Sequence, residues 1–508
     1  MGLLKRIDSF LNSITMYRLV LYTLLGLSGY AIVAGLFGLV SFSAVELTLS
    51  LVAFLVFCNG MNWVLAKMFR APTNVESASI TALLLFLIFV PVVTLGDLWT
   101  IALASLIAMA SKYVLAIQKK HLFNPAAIAA FVLMVSGNGN AIWWVGTPAM
   151  FPVVTILGLL VVRKIRRAYM FWACVGMAFL MVTIFNVLDN KNLLYAWEVM
   201  FLSWPLMFFA TYMLTEPLTT PPTRKLQIIY GALVGYLMAS RLNLGPIYVT
   251  PEAALVIGNI FSYIVSPKQK LILHLKEKKE VAKETFDFVF ETPEKLHFEP
   301  GQYIEWTLPY EHADDRGNRR YFTLASSPTE NQIRLGVKVA TQKSSSFKSA
   351  LQEMKPGDSM VVSQLAGDFV LEHDQQKKLV FIAGGIGVTP FRSMVKYLMD
   401  KREKRDVVMF YAAMSPDAFA YKELFDAASE AVGLKTVYIL SGAKEIPPEW
   451  KGPTGFLNRE MIEKEVPEYT ERIYYLSGPQ AMVSAYKAML EKAGVPSAQI
   501  RTDYFPGF

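Results

Sequence analysis

The long apolar segments of this chain lie before Ser266, and this uneven distribution limits the folds that it can adopt. Of the 508 residues, 54% are hydrophobic, and the mean hydropathy is +0.36. A helix needs about 20 mostly apolar residues to cross a bilayer. We therefore predict a polytopic α-helical membrane domain over residues 1–267, followed by water-soluble protein. Ten segments are the predicted spans: 18–43, 45–67, 78–95, 98–118, 124–137, 147–163, 168–188, 197–214, 226–240 and 251–266.

Basic residues are concentrated at one set of span ends. The positive-inside bias assigns these ends to the cytoplasm, and ten spans return the chain to the side on which it begins. We expect a multi-pass protein of the plasma (inner) membrane with an uncleaved N-terminal anchor, both termini cytoplasmic and the soluble half cytoplasmic. The cytoplasmic set is Lys5, Arg6, Lys67, Arg70, Lys119, Lys120, Arg163, Lys164, Arg166, Arg167, Arg224, Lys225, Lys268 and Lys270, against Lys191 and Arg241 at the opposite ends.

Two of the predicted spans are short and begin with a capping residue followed by proline. Asn124-Pro125 opens the fifth segment, and Thr250-Pro251 opens the tenth. Proline is favoured at the first helical position after such a cap. Corresponding short segments in the two halves of a membrane domain are typical of an inverted repeat with broken helices. Ordinary short or tilted helices are the alternative.

Composition argues against several kinds of partner and redox centre. The two cysteines, Cys58 and Cys174, cannot form a disulfide framework or a four-cysteine iron–sulfur site. A membrane haem takes axial ligands such as histidine from facing helices, and only His121 lies near a span. We expect no metal site. The net charge of +8 arises largely at the span ends, so a bilayer explains it better than nucleic acid does.

Residues 268–375 consist of short strand patterns separated by turns, which predicts a small antiparallel β-barrel. Within it, the stretch Asn318–Pro328 (NRRYFTLASSP) combines a base, an aromatic residue and a hydroxyl. Arg320 suits a phosphate, Phe322 can stack on an isoalloxazine ring, and Thr323 can hydrogen-bond its N5 edge. A basic strand edge followed by a turn is the alternative. Serines in Ala340–Leu351 (ATQKSSSFKSAL) predict a helix whose N-terminus suits a phosphate, or a plain capped helix.

Residues 376–508 alternate between strand and helix patterns, which predicts a doubly wound, parallel α/β domain. The apolar strand KLVFIAG leads directly into the turn Gly384–Pro390 (GGIGVTP) and then an amphipathic helix. Glycines in such a turn let backbone amides approach a pyrophosphate, and the helix N-terminus favours its charge. This strand–turn–helix order indicates nucleotide binding.

Several blocks before residue 267 resemble the membrane subunits RnfD and NqrB of the Rnf complex and the sodium-translocating NADH:quinone reductase. The resemblance implies a ten-span fold, flavin in the membrane, and electron transfer coupled to ion movement. The blocks follow the family's order and are SITALLL (79–85), KHLFNPAA (120–127), FFATYMLTEPLTTPP (208–222) and IYGALVG (229–235).

One departure from that family concerns covalent FMN. The family attaches FMN to a threonine in a Ser/Asp-Gly-Ala-Thr type segment, whereas the corresponding stretch here is WWVGTPAM, with Thr147. We therefore do not expect covalent attachment, although a second flavin (FMN or riboflavin) stays in the prediction. Trp143 and Trp144 are interpreted as part of an interfacial aromatic belt.

The C-terminal 240 residues or so resemble the ferredoxin–NADP reductase-type superfamily, through RYFT-L-x-S-x-P, then GGIGVTP, then Leu476–Met482 (LSGPQAM). The resemblance implies FAD and a nicotinamide dinucleotide, with Thr323 and Ser477 as the catalytic residues. Many relatives have cysteine at the position of Ser477. The cofactor-binding residues implied are Arg320, Tyr321, Phe322, Thr323, Ser345, Ser346, Gly384, Gly385, Gly387, Thr389, Pro390, Gly478, Pro479 and Met482. No arginine follows the second strand of the nucleotide domain at Tyr411–Pro416, which favours NADH over NADPH.

Together these features predict a membrane-bound NAD(P)H dehydrogenase in one polypeptide. A hydride passes from NADH to FAD, and single electrons then enter the membrane domain, towards a quinone or an acceptor across the membrane. Ion transport and a complex with other membrane electron-transfer subunits follow from the resemblance alone. Two alternatives remain: a membrane-anchored flavin reductase serving a soluble partner, and a redox-sensing transporter of an ion or flavin.

Overall fold

The structure is a computed structural model that describes residues 7, 10–11, 14–69, 75–117, 120–244, 247–266, 271–310, 318–339, 344–442 and 446–505. Contacts divide the chain into two units, residues 1–266 (the N-terminal unit) and 267–508 (the C-terminal unit). The predicted boundary at 267/268 lies outside the described residues, and so do Lys5, Arg6, Arg70, Lys119, Lys268, Lys270 and positions 340–343.

The N-terminal unit is helical, and each of the ten predicted segments overlaps a helix. The eighth segment is broken, because α8 and the helix that follows it meet at an angle of 53°. That following helix, α9, is an α-helical turn (Leu206–Phe208) continued by a π-helical turn (Phe209–Met213). The helices are α1 (Met16–Leu36), α2 (Ala44–Met68), α3 (Val75–Ile88), α4 (Asp97–Val114), α5 (Pro125–Ser136), α6 (Phe151–Ile165), α7 (Ala168–Leu188), α8 (Leu193–Leu202), α9 (Leu206–Met213), α10 (Arg224–Ala239) and α11 (Pro251–Val265).

The helix lengths support fewer complete crossings than the ten that we predicted. Among the described residues, four helices (α1, α2, α4 and α7) are long and apolar enough to span a bilayer, or five if α8 and α9 form one bent span. The helices α3, α5 and α11 are apolar but have only 14, 12 and 15 residues. The structure therefore confirms a helical region with several apolar helices, and the count of ten spans stays a prediction.

Burial separates the central helices from the peripheral ones. Residues 81–88 of α3 are all buried, so this short helix lies in the interior of the unit. Helices α2 and α7 instead expose rows of large apolar side chains, as lipid-facing helices do. These exposed side chains are Val45, Leu49, Val52, Val56, Trp63 and Val64 on α2, and Tyr169, Trp172, Leu180, Ile184 and Val187 on α7.

The same succession of elements occurs twice in the N-terminal unit. Helix α4 leads to a two-stranded hairpin (Ala116–Ile117 with Lys120–His121) and then to α5. Helix α10 leads to a second hairpin (Asn243–Leu244 with Ile247–Tyr248) and then to α11. Both short helices carry proline in the first turn, and their N-cap side chains accept backbone hydrogen bonds, as predicted.

Helices α5 and α11 pack antiparallel through their caps. Asn124, the N-cap of α5, donates its backbone N–H to Oδ1 of Asn259, in the second half of α11, at 2.9 Å. Thr250, the N-cap of α11, directs its hydroxyl to the sulfur of Met134 near the end of α5, at 3.6 Å. Asn259 also donates its side-chain amide to the Tyr230 hydroxyl at 3.0 Å. Each N-cap thus contacts the other helix, and the contact at Asn124 extends through Asn259 to Tyr230.

The aromatic-belt interpretation of Trp143 and Trp144 is wrong. The two residues are only 5% and 6% exposed, and they belong to the core of the N-terminal unit. Trp143 donates its indole N–H to the buried Glu252 carboxylate, and Trp144 donates to the Phe86 carbonyl, both at 2.9 Å. Their polar atoms are therefore satisfied inside the protein instead of at a lipid–water interface.

The C-terminal unit contains a six-stranded antiparallel sheet followed by a five-stranded parallel sheet. The antiparallel sheet has the order β4-β3-β6-β1-β2-β5, and one backbone hydrogen bond, from Ala325 to the Arg334 carbonyl, links the segments at its two edges. Closure into a barrel stays a prediction. The strands are β1 (Leu271–Ala282), β2 (Thr285–Glu291), β3 (Tyr303–Thr307), β4 (Arg319–Thr323), β5 (Gln332–Lys338) and β6 (Ser359–Ala366), with helix α12 (Ser346–Glu353) before β6.

The parallel sheet has the order β9-β8-β7-β10-β11, and helices pack on both of its faces. Its central strands β7 and β8 are buried along their whole length, as expected for a doubly wound sheet. Contacts group 267–508 into one unit, so the predicted boundary between 375 and 376 stays a prediction. The elements are β7 (Leu379–Gly384), α13 (Thr389–Lys401), β8 (Val407–Ala413), α14 (Lys422–Val432), β9 (Lys435–Leu440), α15 (Arg459–Glu465), β10 (Ile473–Pro479), α16 (Gln480–Lys492) and β11 (Ile500–Phe505).

Candidate active site

The strand β4 carries the predicted base, aromatic residue and hydroxyl in alternating directions. Arg320 and Phe322 lie on one face and both meet Phe347 of α12: the guanidinium carbon is 5.3 Å from that ring and the Phe322 ring centroid is 5.8 Å from it. Tyr321 lies on the other face, is 44% exposed, and donates its hydroxyl to Gln364 at 3.0 Å. The sequence did not single out Phe347, since one buried aromatic within a serine-rich segment is not a distinctive signal.

The N-terminus of α12 brings the predicted serines to the same place. Ser345 is the N-cap, and its hydroxyl accepts the backbone N–H of Lys348 at 3.4 Å. The Ser346 hydroxyl is 3.0 Å from the hydroxyl of Tyr310, and the next residue is the Phe347 that Arg320 approaches. A guanidinium, two serine hydroxyls and a helix N-terminus therefore meet at one edge of the antiparallel sheet, an arrangement suited to a phosphate.

The glycine turn lies at the switch point of the parallel sheet. Strand β7 ends at Gly384, a 3₁₀ turn covers Gly385–Val388, and α13 begins at Thr389 with Pro390 next. Strands β8 and β9 lie to one side of β7, and β10 and β11 lie to the other. In doubly wound sheets, ligands bind at the carboxyl ends of the strands where the order reverses, which here means the ends of β7 and β10.

The turn after β7 packs directly against the end of β10. A Cβ atom at Gly387 would lie 2.5 Å from the Gly478 Cα and 2.5 Å from the Ser477 carbonyl oxygen. A Cβ atom at Gly384 would meet the sulfur of Met482. The structure thus brings together five of the residues predicted for the nicotinamide nucleotide, with Pro479 exposed at the end of β10.

Three buried hydroxyls in this region have no hydrogen-bond partner among the described residues: those of Thr323, Ser344 and Ser477. Thr323 is 2% exposed and Ser477 is fully buried. Buried polar groups in folded proteins are almost always hydrogen-bonded, so each of these hydroxyls needs an explanation. The two residues that we predicted to be catalytic, Thr323 and Ser477, are among them. Hydrogen bonds to the polar edge of a ligand would satisfy their hydroxyls. The residues present therefore fit a flavin at β4 and a nicotinamide at β10.

Helix α13 also holds the loop that follows β4. Arg392 is bidentate with Glu330, at 2.5 and 2.9 Å, and donates to the Ala325 carbonyl at 2.7 Å. Ser393 donates its hydroxyl to the Ser326 carbonyl at 2.6 Å. Sequence reasoning missed Arg392 and Glu330, because they are 62 residues apart and no local pattern pairs them.

Electrostatics favour the ionised pair. Burial raises the pKa of the Glu330 carboxyl, but the hydrogen bonds and charge of Arg392, helped by the Ser327 amide and Arg334, outweigh it and hold the pKa below its usual value. Burial likewise lowers the pKa of Arg392, and its bonds to Glu330 more than compensate. Both groups are therefore charged at neutral pH.

Glu330→Gln is expected to lower stability at neutral pH by about 3 kcal/mol, because it leaves the buried Arg392 without its counter-charge. Folding depresses the pKa of the Glu330 carboxyl. Such a carboxylate stabilises the folded state above its unfolded pKa, which is near 4.5. This stabilisation is lost as the pH falls through the pKa of the folded state. The thermal midpoint of flavin release should therefore fall less steeply below pH 4.5 in the variant than in the wild type. The matched control is Glu463→Gln, which removes an exposed partner of Arg459 on α15 and should keep the wild-type slope. Equal slopes for wild type and Glu330→Gln would contradict the prediction.

In the N-terminal unit, Thr147 is a poor attachment point for FMN. Its hydroxyl is buried and has no hydrogen-bond partner among the described residues. A hydroxyl must be accessible for a modifying enzyme to esterify it. The absence of covalent FMN stays a prediction.

Comparison with known families matches three parts of the chain. Residues 147–266 match the model of the NQR2, RnfD, RnfE family. Residues 272–370 match the oxidoreductase FAD-binding domain, and residues 381–488 match the oxidoreductase NAD-binding domain. These matches confirm both resemblances predicted from the sequence, and they confirm FAD- and NAD(P)-binding domains of a flavoprotein oxidoreductase.

Two curated relatives each match less than half of the chain. A flavohemoprotein of Bacillus thuringiensis subsp. konkukian is 32% identical over 215 residues, which are 41% of this chain and 53% of that protein. A glycine betaine monooxygenase reductase subunit of Chromohalobacter salexigens is 28% identical over 223 residues, 44% of this chain and 60% of that one. The chain thus spans about half the length of the curated relatives that it matches first.

Solved structures also resemble part of the chain. The Amycolatopsis cytochrome P450 reductase GcoB is 21% identical with a TM-score of 0.41, covering 47% of this chain and 71% of that one. The cytochrome b5 reductase domain of Ulva prolifera nitrate reductase is 21% identical with a TM-score of 0.41, covering 47% of this chain and 98% of that one.

Proposed function

We propose that this chain, an NAD(P)H-flavin oxidoreductase module joined to an NQR2/RnfD/RnfE-type membrane region, is a membrane-bound NADH dehydrogenase. Electrons from NADH enter the C-terminal unit and continue into the helices of the N-terminal unit, towards a quinone or an acceptor across the membrane. The observation that carries the proposal is the fusion itself. The membrane-family match ends at residue 266 and the FAD-domain match begins at residue 272, so only residues 267–271 separate them.

The residues of β4 and α12 form the proposed flavin site. Arg320 pairs with the phosphates, together with Ser345 and Ser346 at the N-terminus of α12. Phe322 would stack on the isoalloxazine ring and the Thr323 hydroxyl would donate to its N5 edge, while Tyr321 would contact the flavin from the other face of β4. FAD, when bound there, accepts a hydride and releases electrons singly.

The turn after β7 and the end of β10 form the proposed nicotinamide site. Amides of the glycine turn bind the pyrophosphate. The Ser477 hydroxyl faces the nicotinamide, in place of the cysteine found in many relatives. The proposed nucleotide contacts are Gly384, Gly385, Gly387, Thr389, Pro390, Gly478, Pro479 and Met482.

The end of β8 supports NADH over NADPH. No arginine stands in Tyr411–Pro416, the stretch that includes the end of β8, where it could bind a 2′-phosphate.

The repeated helix–hairpin–capped-helix succession supports an inverted repeat in the membrane region. Short capped helices that pack antiparallel, as α5 and α11 do, are typical of such repeats. We further propose ten crossings with both termini cytoplasmic in the plasma (inner) membrane, a second flavin held without a covalent bond, and ion transport coupled to electron flow. We also propose that the protein forms a complex with other membrane electron-transfer subunits.

A second candidate function is a membrane-anchored reductase that serves a soluble partner. One comparison favours it, since the glycine betaine monooxygenase reductase subunit is, by its name, a reductase that serves a separate monooxygenase component. In this version the N-terminal unit would hold the enzyme at the membrane and carry no electrons.

A flavin count separates the two candidates. We expect the purified full-length protein to release one FAD and one further flavin after acid precipitation, and to reduce a quinone with NADH in proteoliposomes. The control acceptor is ferricyanide, which the C-terminal unit alone should reduce. One FAD, ferricyanide reduction and no quinone reduction would favour the anchored reductase. No flavin reduction by NADH with any acceptor would refute both.

A further inference from the structure

Four side chains form a partly buried ion-pair network that connects the antiparallel sheet to helix α13. Asp287 of β2 accepts from Arg334 of β5 at 2.6 Å, and Arg334 lies 3.4 Å from Glu330. Glu330 in turn is bidentate with Arg392 of α13. Tyr421, at the start of α14, donates its hydroxyl to Asp287 at 3.0 Å. Two carboxylates thus face two guanidinium groups, and the network has no net charge.

At the Arg392 end of this network, hydrogen bonds are made to backbone groups as well as to side chains. Its guanidinium donates to the carbonyl of Ala325, only two residues beyond Thr323. The neighbouring Ser393 donates to the carbonyl of Ser326. The Ser327 N–H donates to Glu330 at 2.7 Å. The loop 324–330 is therefore fixed to the first turns of α13 at several points.

The two ends of this connection belong to the two proposed cofactor sites. Thr323 precedes the loop directly, and the glycine turn precedes α13 directly. A change in how α13 holds the loop would alter the separation and angle between the flavin strand and the nucleotide turn. Hydride transfer is sensitive to misplacement of about 1 Å, because the reacting atoms must approach in the right geometry.

We infer that Arg392 and Glu330 are positioning residues for hydride transfer, which set the geometry between the flavin strand and the nucleotide turn. This inference rests on the proposed function. A buried ion pair is not a strong source of stability by itself, since its desolvation cost offsets its attraction. The hydrogen bonds of the pair to the Ala325 carbonyl and the Ser327 N–H fix the loop instead. A lysine at position 392 cannot reproduce a planar, bidentate fork.

Arg392→Lys in the full-length protein tests the inference, and Arg472→Lys is the matched control. Arg472 is equally buried and bidentate with Asp406, at 2.6 and 2.8 Å, but these residues lie at the amino ends of β10 and β8, away from the cofactor sites. We expect both variants to lose thermal stability and to keep FAD. Only Arg392→Lys should slow flavin reduction at saturating NADH, by roughly fivefold, with the Kd for NADH changed less than twofold.

Hydrogen exchange provides a readout that does not need turnover. Amides of residues 324–330 should exchange at least tenfold faster in Arg392→Lys than in wild type, whereas Arg472→Lys should leave them unchanged. Unchanged exchange in Arg392→Lys would overturn the inference, and so would an equal loss of rate in the two variants. If wild-type flavin is not reduced by NADH, the proposed function fails, while the exchange measurement still decides whether Arg392 fixes the loop.

Discussion

Gly387→Ala is expected to abolish flavin reduction by NADH while FAD stays bound. The added methyl group would lie 2.5 Å from Gly478 Cα and 2.5 Å from the Ser477 carbonyl oxygen. Both are backbone atoms of β10, which is hydrogen-bonded to β7 on one side and β11 on the other, so neither can move alone. The turn must therefore shift away from β10, and we expect the nucleotide to lose the proposed pyrophosphate contacts. Titration with NADH and stopped-flow flavin absorbance measure the loss.

Gly433→Ala controls for the general cost of replacing a glycine in the nucleotide domain. Gly433 ends α14 with φ +76, and a Cβ atom there would have nothing within 4 Å. We expect a loss of about 1–2 kcal/mol from the left-handed backbone and an unchanged affinity for NADH. Wild-type NADH affinity in Gly387→Ala would show that the turn after β7 does not bind the nucleotide.

Thr323→Val is expected to slow flavin reduction on the order of tenfold without lowering the stability of the flavin-free protein. Valine matches threonine in shape but lacks the hydroxyl, and the Thr323 hydroxyl has no hydrogen-bond partner among the described residues. Removing an unsatisfied buried group costs the protein nothing, whereas losing a hydrogen bond to the flavin costs about 1–1.5 kcal/mol. Rapid-mixing kinetics and thermal melting, each with and without FAD, separate the two effects.

Thr436→Val is the matched control for this substitution. The Thr436 hydroxyl in β9 is also buried and without a hydrogen-bond partner among the described residues, but it lies outside the proposed site. Like Thr323→Val, Thr436→Val should not lower the stability of the flavin-free protein. Unlike Thr323→Val, it should leave flavin reduction at the wild-type rate. Equal rates in the two variants would mean that the Thr323 hydroxyl does not contact the flavin.

Local signals predicted most of the C-terminal unit. The apolar strand before Gly384, the glycine turn and the proline that opens α13 are adjacent in sequence, and the structure places them as a strand, a turn and a helix. The helix predicted in the serine-rich segment was also found, and it begins at Ser346 with Ser345 as its N-cap. Such elements are specified by neighbouring residues, so a single sequence reveals them.

Long-range pairings were not predictable in the same way. Arg392 and Glu330 meet only because two sheets fold against each other, and each alone looks like an ordinary surface charge. Trp143 and Trp144 match an interfacial belt by composition, but the fold buries them against Glu252 and Phe86. Partners of this kind depend on topology, which periodicity does not encode.

The apolar segments of the N-terminal unit were located correctly, but their number of crossings was not established. An apolar run of 12 to 15 residues is compatible with a span fragment or with a buried core helix, and α3, α5 and α11 fall in this range. Hydropathy measures the preference of a segment for an apolar environment. It does not distinguish lipid from the interior of the protein.

The reciprocal capping of α5 and α11 has a consequence for how this sequence can diverge. The Asn124 backbone N–H donates to the side-chain oxygen of Asn259, and the side-chain amide of Asn259 donates to the Tyr230 hydroxyl. An aliphatic residue at position 259 would leave a buried N–H and a buried hydroxyl unpaired at once. Substitutions at the two helix ends should therefore be strongly non-additive. Each half of the membrane region therefore constrains the evolution of the other at this crossing.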